Sequence, residues 1–124
     1  MKTQEYKKSK KLLSFINFVY AFHGILFLIR RERNALFYLI AMVFLGFFGH
    51  RYHLSPHEWS ALVFAVSLVW VAEALNTAIE LLADEISEEQ RERLGKAKDV
   101  AAGGVLLGAI GALATVMLVF WPHF

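Results

Sequence analysis

Residues 59–83 read WSALVFAVSLVWVAEALNTAIELLA, a run with no Lys or Arg and with Glu73 and Glu80 as its only acids. As a helix at 1.5 Å per residue it is about 37 Å long, more than the roughly 30 Å hydrocarbon core of a bilayer. It therefore reads as a membrane-crossing helix. At 100° per residue Glu73, Asn76, Glu80 and, one turn beyond the run, Asp84 fall within an arc of roughly 80°. An ionisable group on a membrane helix costs about 2.5–3.5 kcal/mol on insertion scales, so such a stripe belongs against protein, water or a ligand. Asn and Thr alone could be glue between helices, but acids on adjacent turns repel one another unless a cation neutralises them. The stripe reads as a cation- or proton-handling site.

Upstream of this run, Ser55-Pro56-His57-Glu58 predicts a helix start with Ser55 as N-cap, Pro56 at N1 and Glu58 closing a capping box. Trp59 is expected to anchor that end at the headgroups. The preceding apolar run, Ala35 to Gly49, is only about 22 Å long as a helix, so Arg33, Asn34, Tyr52 and Leu54 are expected to extend it. Before it, Leu12 to Ile29 follows a basic arm carrying Lys2, Lys7, Lys8, Lys10 and Lys11, and ends in Arg30-Arg31-Glu32-Arg33. A cleaved signal would need small residues there, so the segment is expected to be retained. Both of its ends are basic, which places it on the cytoplasmic interface as an amphipathic helix.

Downstream, Asp84 to Arg93 is a charged connection. Ser87 with Gln90 predicts a further turn or two of helix that Gly95 stops. Val100 to Trp121 then carries no charge, and Ala97, Ala101, Gly104, Gly108 and Ala112 form a small-residue stripe for close helix packing. The expected architecture is all-α: a basic arm and surface helix over 1–33, then membrane helices over 34–54, 56–83 and 96–121, in one domain. Lys and Arg are many before the first span, one (Arg51) before the second, four before the third and none after it. The N-terminus is thus expected inside and the C-terminus outside.

Composition narrows the function. The 124 residues are 57% hydrophobic, and the net charge of +2 comes from residues flanking the apolar runs, which is membrane topology and not a nucleic-acid surface. No cysteine is present, so thiol catalysis and cysteine-ligated metals are excluded. His50, His53 and His57 have metal-like spacing, but Pro56 interrupts any shared helix face. Carboxylates with oxygen neighbours at a water boundary suit Mg²⁺, and a lysine beside them suits phosphate. A deeper carboxylate, Glu73, could deprotonate a lipid hydroxyl. Together these residues point to phosphoryl transfer from a nucleotide to a lipid alcohol. The alternative is a non-enzymatic oligomer whose acidic stripe lines a cation pathway, for which Lys98 at the mouth would have little use.

The run Glu73-Ala-Leu-Asn76-Thr-Ala-Ile-Glu80, then Asp84, then Gly95-Lys-Ala-Lys98-Asp99, resembles the signature of the prokaryotic diacylglycerol kinase and undecaprenol kinase family. Phe18-Val-Tyr20-Ala21-Phe-His-Gly24 and Glu32-Arg-Asn34 are similar to the same family's surface helix and first acidic site. The resemblance spans about residues 14 to 121. It implies an ATP- and Mg²⁺-dependent lipid kinase of the bacterial inner membrane, a homotrimer whose sites draw on neighbouring subunits. Carried over by position, it makes Glu73 the general base toward the lipid hydroxyl, and Glu32 and Glu80 the Mg²⁺ ligands. Asn76 would hold base and phosphate, and Lys98 and Asp99 would contact the nucleotide, with Tyr20 and Gly95 also on the nucleotide side. The acceptor is undecaprenol or diacylglycerol, with Glu-x-Asn and Asn-Thr-Ala-Ile-Glu leaning to the former. Leu36 and Tyr38 stand where many undecaprenol-type members have Arg and His, and Asn17 where a basic residue is expected.

Overall fold

The computed structural model describes residues 2–124, which form α1 (Lys2–Arg31), α2 (Ala35–Arg51), α3 (Pro56–Ile86), α4 (Glu92–Phe120) and a closing 3₁₀ turn over Trp121–His123. The chain is an all-α membrane protein. It divides into two units, one ending at Ala35 and one over Leu36–Phe124. In the first, the lysine-rich arm is no loose tail: it is continuous with the apolar run in one helix of 30 residues, about 45 Å long. Arg30 and Arg31 close its last turn, where cations complement the helix dipole, and the Arg31 guanidinium lies 6.0 Å from the centre of the Phe27 ring.

Among the described residues, α1, α3 and α4 are the helices long and apolar enough to cross a membrane. The helix expected over 34–54 has only 17 residues, about 25 Å. Its far flank does not extend it, because the chain turns there. His53 takes a left-handed conformation at φ 53°, its N–H donates to the His50 carbonyl, and the Leu54 N–H donates to that of Gly49. These are the two bonds of a Schellman cap. Leu54 thereby folds inward into an apolar cluster with Leu62, Val119 and Phe120 instead of seating in lipid.

The start of α3 is as expected. Ser55 Oγ accepts from the Glu58 N–H at 3.2 Å and the Glu58 carboxylate accepts from the Ser55 N–H at 2.7 Å. The other Glu58 oxygen is 2.8 Å from His123 Nε2, which ties the end of the chain to this corner. Trp59 departs from its expected role at the headgroups: half-buried, it packs against the Leu54 cluster and lies over Gly49. No residue larger than glycine at position 49 leaves room for that ring.

Helix α3 runs three residues beyond the expected boundary and ends at Ser87, which is extended (φ −164°, ψ 133°) and donates its N–H to the Ala83 carbonyl. Ser87 Oγ also accepts from the Glu89 N–H, so this serine closes a helix and does not open a short one. Gly95, expected as a stop, lies inside the first turns of α4. Helices α3 and α4 pack closely at Gly108, where an added Cβ would sit 3.7 Å from Ala72 Cβ and 4.0 Å from the Leu68 carbonyl. Gly104, in the same small-residue stripe, faces open space.

Candidate active site

The acidic stripe of α3 changes environment along its length. Glu73 is 4% exposed and Thr77, one turn on, 5%. Asn76 and Glu80 are half-buried, and Asp84 is exposed. The stripe thus leads from the interior to the exposed end of the helix.

Glu73 is held from α2. The Tyr38 hydroxyl donates to Glu73 Oε1 at 2.5 Å, the length of a charge-assisted O–H···O bond. The Tyr38 ring stands edge-on to Trp70 with centroids 5.5 Å apart, and Trp70 Nε1 donates to Met42 Sδ at 3.4 Å. Sequence reading marked Tyr38 only as a departure from a family pattern. Its partner is 35 positions away, and nothing local to either residue announces the pair.

One turn further, Asn76 Nδ2 donates to Glu80 Oε1 at 3.2 Å. Asn76 Oδ1 is buried and has no hydrogen-bond partner among the described residues. A buried orphan acceptor costs about 1–3 kcal/mol, so its survival beside a carboxylate suits a cation, a water on that cation or a hydroxyl donor. Among the described residues no three His, Asp or Glu side chains come together as a ready-made metal cage. That donor set fits Mg²⁺, which keeps waters and phosphate oxygens beside one or two carboxylates.

Lys98, from α4, reaches back to α3. Its Nζ is 2.6 Å from Asp84 Oδ1, with the two side chains 40% and 53% exposed. The lysine expected to act with its neighbour Asp99 is therefore paired with Asp84, while Asp99, 100° further round the helix, is exposed. A cavity of about 530 Å³ opens at this end, lined by Lys98, Gly95, Arg91 and the loop from Ser87. No side chain caps the start of α4 beside it, and nothing lies within 4 Å of a Cβ added at Gly95.

The other two expected site residues lie in the first unit. Glu32 follows α1 and accepts from the Asn34 N–H at 3.3 Å; Tyr20 is exposed on α1. Within the second unit, an apolar groove of about 720 Å³ runs along α2, α3 and α4 from Tyr38 and Trp70 to Tyr52 and Phe124. Its Tyr38 end is the end at which Glu73 is held.

Comparison with known proteins bears on this arrangement. The family model of prokaryotic diacylglycerol kinase matches residues 19–120. A diacylglycerol kinase of Escherichia coli strain K12 is 41% identical over 63 residues, 51% of this chain and 52% of that protein. The match thus spans about half the length of that relative. An undecaprenol kinase of Bacillus subtilis is 34% identical over 108 residues, 87% of this chain and 88% of that protein. A diacylglycerol kinase of Synechocystis is 33% identical over 99 residues, 79% of this chain and 57% of that protein.

Proposed function

We propose, because this chain belongs to the prokaryotic diacylglycerol kinase family, that it transfers the γ-phosphate of ATP to the hydroxyl of a membrane lipid. The observation that carries the reading is a buried carboxylate, Glu73, fixed at the end of an apolar groove and continued by Asn76 and Glu80 toward water. A lipid chain suits the groove, and a hydroxyl at its polar end meets Glu73.

In the reaction, the acceptor oxygen attacks the γ-phosphorus, and Glu73 takes the hydroxyl proton as the new O–P bond forms. The bond from phosphorus to the bridging oxygen breaks, and ADP leaves with its electron pair. Burial keeps competing water from Glu73. In this reading Glu80 and Glu32 would hold Mg²⁺, and Asn76 Oδ1 would offer it or its water a further oxygen. The ion, when bound, neutralises phosphate charge. Lys98 contacts phosphate by exchanging Asp84 for it, and Gly95, Asp99 and Tyr20 complete the nucleotide side. Lysine serves phosphate better than it serves a cation path.

The lysines and arginines at both ends of α1 favour its lying on the cytoplasmic face of the inner membrane, with the remaining helices crossing. A homotrimer with shared sites completes the proposal. The acceptor is undecaprenol or diacylglycerol, each of which offers one hydroxyl at the interface. The test is ATP-dependent phosphate incorporation into each lipid in mixed micelles, with native protein and Glu73→Gln side by side. Transfer lost in the variant establishes Glu73 as the base, and the preferred lipid names the acceptor. Transfer that survives removes Glu73 from that role. No transfer to either lipid by folded native protein overturns the kinase reading.

A further inference from the structure

We infer that Tyr38 is the positioning residue of this site: its phenol holds the Glu73 carboxylate in the orientation from which it takes the acceptor's proton. The inference rests on the reading of Glu73 as the base and adds to it a residue from a different helix. Glu73 has several rotatable bonds between backbone and carboxylate, and free rotation would spread its oxygens over positions from which few can meet a hydroxyl. Proton transfer requires approach within about 2.6–3.2 Å along a defined line. One strong hydrogen bond removes most of that freedom. The 2.5 Å bond from Tyr38 is of that kind.

The donor is itself anchored. Tyr38 is one turn into α2, with its ring edge-on to Trp70 at 5.5 Å and to Phe37 at 6.2 Å. Trp70 lies three residues before Glu73 on α3, and its N–H is in turn engaged by Met42, one turn beyond Tyr38 on α2. Two successive turns of α2 are thus tied to two successive turns of α3, and the phenol cannot swing without disturbing the Trp70 contact. A tyrosine that only filled space would need no hydroxyl here. Tyr38 also lines the apolar groove, so an acceptor chain passing to Glu73 runs beside its ring.

The experiment measures kcat and KM for ATP and for the lipid acceptor in mixed micelles, for native protein, Tyr38→Phe, Glu73→Asp and the Tyr38→Phe/Glu73→Asp pair. Tyr38→Phe removes one oxygen and keeps the ring. Loss of a hydrogen bond to a charged group predicts a fall in kcat of about ten- to a hundredfold, with both KM values within about twofold of native. Glu73→Asp withdraws the carboxylate from the phenol's reach, so adding Tyr38→Phe to it should lower kcat by less than about twofold. A 4-aminophenylalanine at position 38 keeps the shape and offers a weaker N–H donor, and its kcat should fall between the native and Phe values. It carries the test if Tyr38→Phe fails to fold.

Native kcat in Tyr38→Phe, multiplicative losses in the pair, or 4-aminophenylalanine no better than Phe would each overturn the inference. Glu73→Gln separates the two claims. Full activity there sinks Glu73 as the base and this inference with it, whereas an inactive Glu73→Gln beside a fully active Tyr38→Phe sinks the inference alone.

Discussion

Gly49→Ala tests how α2 is seated on α3. The added methyl would lie 2.6 Å from Cη2 and 2.7 Å from Cζ2 of Trp59, and 3.1 Å from Leu54 Cδ1. Carbon atoms pack best at about 3.5–4.0 Å, so two ring atoms would overlap the methyl by about 1 Å each. The indole is rigid and is packed against the Leu54, Leu62, Val119 and Phe120 cluster, so it cannot step aside as a flexible chain end would. Overpacking of this kind costs about 1–3 kcal/mol. Against it stands the gain of about 1 kcal/mol from replacing a helical glycine by alanine. Gly46, one turn earlier in α2, isolates the two terms, because nothing lies within 4 Å of its added Cβ. Gly46→Ala should therefore stabilise by about 0.5–1 kcal/mol, and Gly49→Ala should fall below it by the full clash, about 1–3 kcal/mol. Unfolding in SDS-titrated mixed micelles, followed by circular dichroism, measures both. Shortening the ring with Trp59→Phe should remove most of the clash, so that the double variant couples by about 1 kcal/mol or more. Gly49→Ala as stable as Gly46→Ala would refute the seating of Trp59 on α2.

Two further predictions concern the site. Glu80→Gln keeps the bond from Asn76 but removes the charge beside Asn76 Oδ1, and should lower phosphate transfer about a hundredfold or more and raise the Mg²⁺ concentration needed for half-maximal rate; an unchanged Mg²⁺ titration would remove Glu80 from the metal. Lys98→Met breaks a half-exposed pair with Asp84, worth about 1 kcal/mol or less, so the protein should stay folded while KM for ATP rises about ten- to a hundredfold; a steady-state ATP titration decides it, and a native KM would place Lys98 outside the nucleotide site.

The parts of the fold that were legible in the sequence are those set by neighbours a turn apart. The Ser55–Glu58 capping box, the long apolar α3 and the stripe of Glu73, Asn76, Glu80 and Asp84 all follow from three- and four-residue spacing, and the structure has them. The failures come from competition between local signals and packing. Ser87 could cap the start of a helix or the end of one, and its sequence suits both; the Ala83 carbonyl, free at the end of α3, settles the matter by taking its N–H. Trp59 at the end of a span reads as an interface anchor, but a glycine on the neighbouring helix offers the ring a closer seat. Helix α2 is apolar almost all round, so no periodicity reveals which side meets α3. The side that does so carries Tyr38, Met42, Leu45 and Gly49, and only their partners identify it.

The sizes of the side chains between the helices explain why the groove exists where it does. Helices α3 and α4 meet through Gly108 and Ala72, small enough to bring backbones together. Toward α2 the contacts are made by Tyr38, Met42, Trp70 and Trp59, whose bulk holds the backbone of α2 away. A helix held off by a few large side chains leaves space between them, and that space is the apolar groove beside Tyr38 and Trp70. Stability and chemistry then occupy opposite ends of one frame. The Leu54 cluster and the Glu58–His123 pair close the end at which α3 begins, with the buried apolar contacts that resist opening. The other end carries the carboxylates, the orphan Asn76 oxygen and the Lys98–Asp84 pair. Such groups contribute little to folding and are retained where binding uses them. A ligand that satisfies Asn76 Oδ1 and replaces Asp84 on Lys98 would couple the two helices that the site spans. Saturating Mg-ATP should accordingly raise the unfolding midpoint of native protein more than that of Lys98→Met, and equal shifts would show that the nucleotide does not engage Lys98.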